Sequence, residues 1–301
     1  MSNIDEKIVA IKSVFNPQDI LLFDTAPKQI AKYYRLNRLA YWLFVSRKGF
    51  VHMGLSENDK LDPEDFSRPA QQISEHINKV KARNVLELAV GKGGNLRYLA
   101  KKHPKIHFYG IDLPNGQTND KSLNKLPNLE FSHGDFHDLS IYKSSSQDVV
   151  FVIEALCYAQ PKQKVMQEVY RILKPGGTFI VYDGYNLKPY KQMRPNEALI
   201  IKLGWKGMLV NPDDMYLGDF KKYLLEEGFS IAHEEDLGRA VIPSLKNLEK
   251  HAARFFRRPK LARLINKFLP DHFVANAISG YVMPDVVESR LCTYNLTIAQ
   301  K

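Results

Sequence analysis

Four apolar runs in the middle of this chain each end in groups able to hold a ligand. The first, Asn84 to Val90, passes into Gly91-Lys92-Gly93-Gly94. Glycines let a backbone turn tightly and approach a ligand, and a helix starting after them presents free N–H groups. The second run, Ile106 to Ile111, ends at Asp112, a carboxylate able to accept hydrogen bonds from both hydroxyls of a ribose. The third, Leu129 to Ser132, leads to Gly134-Asp135-Phe136, an acceptor beside an aromatic ring, suited to the amino group and the face of adenine. The fourth, Asp148 to Ile153, delivers Glu154, followed by Cys157 and Tyr158. Any one of these acids alone is an ordinary loop residue or helix cap. Four consecutive strands ending in such groups, one in glycines and three in acids, describe one ligand-binding edge, since ligands of a doubly wound sheet sit beyond the carboxyl ends of its strands.

The elements that must position these groups follow a strand–helix rhythm. Gly94 to Lys102 reads as a helix, and so does Pro161 to Leu173, with Pro161 placed to start it and Lys174-Pro175-Gly176-Gly177 to end it. Thr178 to Tyr182 is a fifth strand. Alternation of this kind predicts an α/β, Rossmann-like doubly wound sheet, mostly parallel, with helices on both faces. The unbroken run Val149-Val150-Phe151-Val152-Ile153 fits a strand buried on both sides. After Asp183 the rhythm breaks into an insertion, 184–214. A helix near Leu217 to Glu227 and a strand near Phe229 to His233 resume the sheet. A second insertion spans 238–289, and the alternating Leu291 to Ala299 is expected to be an antiparallel last strand. The first eighty residues read as helical, with Ile30, Tyr34, Asn37, Tyr41 and Phe44 along one face. A further helix is expected from Pro63 to Ala82, with Phe66, Ile73 and Ile77 inward. The expected division is a helical lid or substrate segment, 1–80, and a core, 81–301, capped by the two insertions.

Glu87-Leu88-Ala89-Val90-Gly91-Lys92-Gly93 resembles the glycine motif of class I S-adenosylmethionine-dependent methyltransferases, with Ala89 where glycine is usual. Arg171-Ile172-Leu173-Lys174-Pro175-Gly176-Gly177 is similar to that family's turn from helix to fifth strand. The likeness is good over 80–183 and holds in outline over 215–300. It implies S-adenosyl-L-methionine as the cofactor. Glu87, Ala89, Gly91 and Gly93 would form the glycine motif, with Gly91 and Gly93 against the methionine part. Asp112 would hold the ribose with Leu113 beside it, Asp135 and Phe136 would meet the adenine, and Glu154 would border the methionine end. Within the family, Val152-Ile153-Glu154-Ala155-Leu156-Cys157-Tyr158-Ala159 resembles the fourth-strand signature of the sterol and tocopherol C-methyltransferases, with Tyr158 where histidine is frequent. Val241-Ile242-Pro243-Ser244-Leu245 opens the late insertion in a similar way, and Tyr33-Tyr34 with His52-Met53-Gly54 resembles that group's N-terminal aromatic-and-histidine region. The implied acceptor is a small lipophilic or aromatic molecule.

A neutral amine acceptor needs little chemical help, whereas a hydroxyl or carbon acceptor needs a base or charge stabilisation. The candidates are Glu154, His52 and Tyr158, with Tyr33, Tyr34, Tyr41 and Tyr185 as candidate walls of the acceptor site. A dehydrogenase is disfavoured because Gly91-Lys92-Gly93-Gly94-Asn95-Leu96 lacks the third glycine of a dinucleotide turn. Lys92-Gly93-Gly94-Asn95 is also similar to the RNA cap guanine methyltransferases, so a macromolecular acceptor stays open, as does a binding-only module. A second basic cluster threaded with aromatics, as a nucleic-acid groove wants, is missing from the sequence. His133, Asp135, His137 and Asp138 crowd one loop, read as a polar strand end with no metal expected.

The formal net charge is +10, and the excess is uneven. Lys250, Arg254, Arg257, Arg258, Lys260, Arg263 and Lys267 follow one another with no acid between them, while Leu261, Leu264, Ile265, Phe268 and Leu269 fall on one helical face. That is a basic amphipathic helix, packed on the domain or set against an anionic membrane surface through 250–269. Cys157 and Cys292 read as two buried thiols, which suits a reducing compartment. The N-terminus lacks a basic start followed by an apolar stretch. The expected location is cytoplasmic or peripheral on a membrane.

Overall fold

The structure, a computed structural model, describes residues 3–44, 48–114, 123 and 125–301; of residues 38–44, 272 and 273 it describes the backbone alone. The N-terminal region is helical, with α1 Asn3–Lys12, α2 Pro17–Leu21, α3 Pro27–Phe44 and α4 Arg68–Val80. The expected 63–82 helix begins later than Pro63, because Asp62 caps a 3-10 turn, Pro63–Ser67, ahead of it. Phe66, Ile73 and Ile77 are buried as expected.

The sheet is built from β1 Asn84–Leu88, β2 His107–Asp112, β3 Leu129–His133, β4 Gln147–Ile153, β5 Leu173–Asn186, β6 Ser230–Asp236 and β7 Cys292–Gln300, in the order β3-β2-β1-β4-β5-β7-β6. The first five are parallel, whereas β7 lies antiparallel between β5 and β6. Two expectations change here. The fifth strand continues past Tyr182 to Asn186, because β7 pairs with it from Thr178↔Gln300 to Asn186↔Cys292. The 229–233 strand runs on to Asp236 and joins the sheet only through β7, as its outer edge. Its exposed His233, Glu234, Glu235 and Asp236 suit an unpaired edge, where charge discourages pairing with another chain.

The remaining helices are α5 Gly94–Lys102, α6 Lys162–Ile172, α7 Pro195–Gly207, α8 Leu217–Glu226, α9 Gly238–Phe256, α10 Pro259–Asn266 and α11 Asp271–Glu288. Alternation along the strands divides the core. Val85, Phe108, Val149, Phe151, Ile180 and Tyr182 pack under α1, α4, α5, α7, α9 and α11. Leu86, Val150, Val152, Phe179 and Val181 face α6 and α8 on the other side. Cys157 and Cys292 are free thiols, both buried.

One buried cation fastens the N-terminal helix to the late helices. On α1, Ile4, Ile8 and Ile11 form the apolar stripe, and buried Lys7 sits among them. Its ammonium reaches Glu249 of α9 at 2.5 Å and ion-pairs with Asp285 of α11, and it lies 4.6 Å from the centre of the Tyr281 ring. Removing one partner of a buried pair strands the other charge. Lys7→Met is therefore expected to lower unfolding free energy by about 3 kcal/mol, read from the denaturant midpoint. A loss within error of zero would show that the pair holds nothing together.

Candidate active site

Strand order reverses between β1 and β4, which opens a crevice at their carboxyl ends. A pocket occupies it, lined from the loops after β1 to β4 by Ala89, Gly91, Asp112, Leu113, Asp135, Phe136 and Glu154, and from α3 by Ile30 and Tyr34. Three of these residues hold left-handed backbone: Ala89 at φ +54°, Gly91 at +58° and Glu154 at +50°. For a residue with a Cβ this conformation costs about 1–2 kcal/mol, and such strain clusters where a side chain must be aimed at a ligand. Gly91 N donates to Asp112 Oδ2 at 2.6 Å, tying the first two loops together. Asp135 accepts from the backbone N and ring Nδ1 of His137, whose Nε2 accepts from Gln160 N. That imidazole thus links the loops after β3 and β4.

Glu87 and Gly93, both expected to hold cofactor, stand behind the pocket wall. Gly93 caps α5 at φ +74°. At Gly94 a Cβ would lie 2.6 Å from Gly49 O and 2.8 Å from Phe50 N, so only glycine lets that stretch of chain seat on the start of α5. Glu87 is buried beneath it, with the Asn95 side-chain amide 3.3 Å from its Oε1. The other end of that amide is 3.1 Å from His52 Nε2, and His52 Nδ1 is 3.0 Å from Met53 O. Nδ1 must donate to that carbonyl. With both end groups neutral, the amide presents its nitrogen to His52 and its oxygen to a protonated Glu87. The opposite orientation, with Nδ2 toward Glu87 Oε1 and Oδ1 toward His52 Nε2, needs a buried imidazolium, because both ring nitrogens of His52 would then donate. Burial lowers the His52 pKa and pushes that of Glu87 up to about 8, and Glu87 Oε2 is buried without a partner. All three observations favour the neutral arrangement. His52 therefore positions the 49–54 segment and is not among the residues that line the crevice.

The 49–54 segment carries the next link. Met53 N donates to Glu154 Oε1 at 2.6 Å, and Gly54 N donates to Ser244 Oγ of α9 at 3.2 Å. The His52-Met53-Gly54 and Val241–Leu245 stretches, far apart in sequence, thus meet beside Glu154. Beyond them lies a second cavity of about 400 Å³, walled by Val241, Leu245 and Phe255 of α9, Met283 of α11, and Trp205 of α7. It meets the first pocket at Tyr34, Val51, Glu154 and Tyr158, the residues that line both. Tyr34 donates to Tyr158 Oη at 3.1 Å, and Tyr158 donates to Met208 O at 3.1 Å.

Two carboxyls stand at the inner end of this largely apolar space. Burial pushes the Glu154 carboxyl up to about 8, with the neighbouring Asp183 charge adding to the effect. Asp183 is pushed up to about 6 by burial, held lower than Glu154 by the backbone N–H groups of Gly184 and Cys157, each at 2.8 Å. Asp183 was not among the expected site residues. Its signal was an acid closing the fifth apolar run, as Glu154 closes the fourth.

The four candidate wall tyrosines separate. Tyr34 lines both cavities. Tyr33 is fully buried behind it, ring edge to face at 5.3 Å, and supports it. Tyr185 lies on the opposite side of the sheet, stacked on Phe220 at 4.9 Å. The extension of β5 to Asn186 keeps the two-residue alternation running, so Tyr185 takes the face of Phe179 and Val181. Tyr41 lies outside the residues whose side chains are described. Among the described residues no group of His, Cys, Asp and Glu is arranged to hold a metal ion.

Residues 86–181 match the family model described as a methyltransferase domain. The chain carries a class I S-adenosylmethionine-dependent methyltransferase domain. It is 31% identical over 166 residues to the sterol 24-C-methyltransferase of Saccharomyces cerevisiae, a stretch covering 51% of this chain and 40% of that protein. It is 34% identical over 136 residues to the phthiotriol/phenolphthiotriol dimycocerosates methyltransferase of Mycobacterium tuberculosis, covering 44% of each. The chain spans less than half the length of these curated relatives. Its fold is similar to that of the mycolic acid cyclopropane synthase CmaA1, solved with SAH and CTAB. The TM-score is 0.70 at 12% identity, over 90% of this chain and 97% of that one. The cofactor of the domain is S-adenosylmethionine. The residues present fit it: left-handed backbone at Ala89 and Gly91 leaves room for close approach, and a carboxylate and an aromatic ring line the same crevice.

The raised carboxyls make stability depend on pH. Glu87 and Glu154 stay protonated in the folded protein up to about 8, whereas an unfolded chain releases these protons near the ordinary value of 4.5. Between those limits the folded state binds more protons, so its stability falls as pH rises. Unfolding free energy is expected to decline from about pH 4.5 to about pH 8, with Glu87→Gln and Glu154→Gln each flattening the slope. Denaturant titrations across that range measure it, and an unchanged slope in both variants would refute the buried-neutral assignment.

Proposed function

We propose that this chain transfers the methyl group of S-adenosylmethionine to a small lipophilic acceptor held in the apolar cavity. The observation that carries this reading is the junction: among the described residues the crevice and the cavity share Tyr34, Val51, Glu154 and Tyr158. A cavity of about 400 Å³ lies within the usual range for ligand pockets, about 300–1,000 Å³. The relatives named above act, by their descriptions, on sterols and on phthiotriol-type lipids, which favours an apolar acceptor here.

Bound, the cofactor supplies a methyl group on a positively charged sulfur. The chain's own residues would bind, orient and dry the site. Asp112 would take the ribose hydroxyls. Leu113, Asp135 and Phe136 would receive the adenine, and the backbone at Ala89 and Gly91 would pass along the methionine part. Val241, Leu245 and Phe255 would exclude water from the acceptor. Glu154 stands where cofactor and acceptor meet, and we assign it the role of candidate base. A carboxyl kept close to neutral by burial takes its charged form when positive charge appears beside it, and can then accept a proton from a carbon or hydroxyl acceptor. Asp183 adds negative potential behind it. The Tyr34–Tyr158 pair closes the seam, with Tyr158's proton engaged on Met208 O. An RNA acceptor suits this lining poorly, because Val241, Leu245, Phe255 and Met283 make most of these walls apolar.

Two substitutions separate binding from chemistry. Asp112→Asn removes hydrogen bonds to a charged acceptor, worth about 1.5–3 kcal/mol, so cofactor affinity is expected to fall roughly 10- to 100-fold by calorimetry. Glu154→Gln is expected to keep that affinity within about threefold while lowering kcat by about 100-fold or more. The readout is labelled-methyl transfer into a cell extract partitioned between organic solvent, RNA and protein. Label in the RNA fraction, or a Glu154→Gln variant with full turnover, would overturn the reading.

A further inference from the structure

The basic segment lies at the edge of the cavity, and the structure splits its apolar side in two. In α10 and the turn after it, Ala262 is buried and Ile265 and Leu269 line the cavity. Leu261, Leu264 and Phe268 point outward, 46%, 51% and 78% exposed. At 100° per residue the outward residues occupy the arc beside the cavity-lining ones, and Lys260, Arg263 and Lys267 follow on the far side. An apolar strip therefore runs from the cavity wall over the helix to open surface, bordered by cations.

Those cations have no acidic partner among the described residues, and Arg263 Nε donates only to the Pro259 carbonyl at 3.4 Å. Lys250, Arg254, Arg257, Arg258, Lys260, Arg263 and Lys267 are all exposed, and none takes part in an ion pair among the described residues. Basic residues nearby behave differently: Lys246 of α9 pairs with Glu288 at 2.5 Å, and Arg290 pairs with Asp236. A solvated helix face gains nothing from three exposed large apolar side chains, whereas an interfacial helix needs such a face together with a cationic border.

We infer that residues 250–269 dock this chain on an anionic phospholipid surface, with Leu261, Leu264 and Phe268 entering the headgroup boundary and the cavity opening toward the bilayer. Among the described residues no helix is long and apolar enough to cross a membrane, so the contact is with one surface. Lipid is favoured over nucleic acid because the cations flank an apolar strip continuous with the cavity, and a phosphate backbone offers that strip nothing. The inference deepens the proposed function by giving a lipophilic acceptor a route from the bilayer, but docking itself does not require methyl transfer.

The test is sedimentation of the full chain with vesicles of phosphatidylcholine alone and of phosphatidylcholine with 30% phosphatidylglycerol, in low and high salt. At least tenfold stronger binding to the anionic vesicles is expected, weakening with salt. Leu264→Ser with Phe268→Ser, and separately Arg257→Glu with Lys260→Glu, should each lose at least tenfold while cofactor affinity by calorimetry stays unchanged. Equal binding to both vesicles, or full binding by the apolar double variant, would overturn the inference. A concentration-dependent dimer abolished by the apolar variant, with no vesicle binding, would assign the patch to a second copy instead. Vesicle binding without cofactor binding would sink the methyl-transfer reading and leave the docking intact.

Discussion

The hydrogen bond from Met53 N to Glu154 Oε1 joins the parts of the molecule that make the site. Glu154 ends β4 with left-handed backbone, a conformation that holds only while its surroundings impose it. Met53 belongs to a segment fixed on one side by His52 and the bare face of Gly94, and on the other by Ser244 of α9. The bond thus connects the sheet, the N-terminal region and the late helices at the wall shared by crevice and cavity. If the 49–54 segment moved, the Glu154 carboxyl would lose its donor and the two spaces would lose their common boundary.

The fold was legible where a pattern is local. Unbroken apolar runs announced the buried parallel strands, and the glycines after Val90 announced the start of α5, because burial and turn chemistry leave a mark within a few residues. Glu154, Asp112 and Asp135, which line the crevice, stand out in the sequence for the same reason: in this architecture the residue after a strand faces the crevice edge. Tyr185 went astray because its side depends on how far β5 runs, and that length is set by β7, more than a hundred residues later. His52 stands out in the sequence, but its pairing with Asn95 does not, since Asn95 lies on another element. Residues 250–269 showed their amphipathic character plainly. That one arc of the helix is covered by the cavity and the next is open follows only from packing.

The cavity and its carboxyls answer each other. An apolar wall of the kind proposed to hold the acceptor also makes ionisation of Glu154 and Asp183 costly. The chain resolves this unequally. Asp183 receives two backbone N–H donors and titrates near 6, whereas Glu154 receives only one backbone donor, from Met53, and titrates near 8. Two neighbouring carboxyls with separated pKa values can divide a task, one as fixed charge and one as exchangeable proton acceptor.

This division makes the site's electrostatics conditional on occupation. A neutral Glu154 spares the apolar cavity a buried charge. A cation placed at the junction reverses the balance, because a nearby opposite charge favours the ionised form. Under the proposed reading, the negative charge would appear only when there is positive charge to meet it, at the wall that crevice and cavity share. A permanently ionised carboxylate would weaken the apolar selection that the walls provide, and a glutamine would never supply the charge. Under the proposed reading, a buried glutamate after β4, held by Met53 N, would do both.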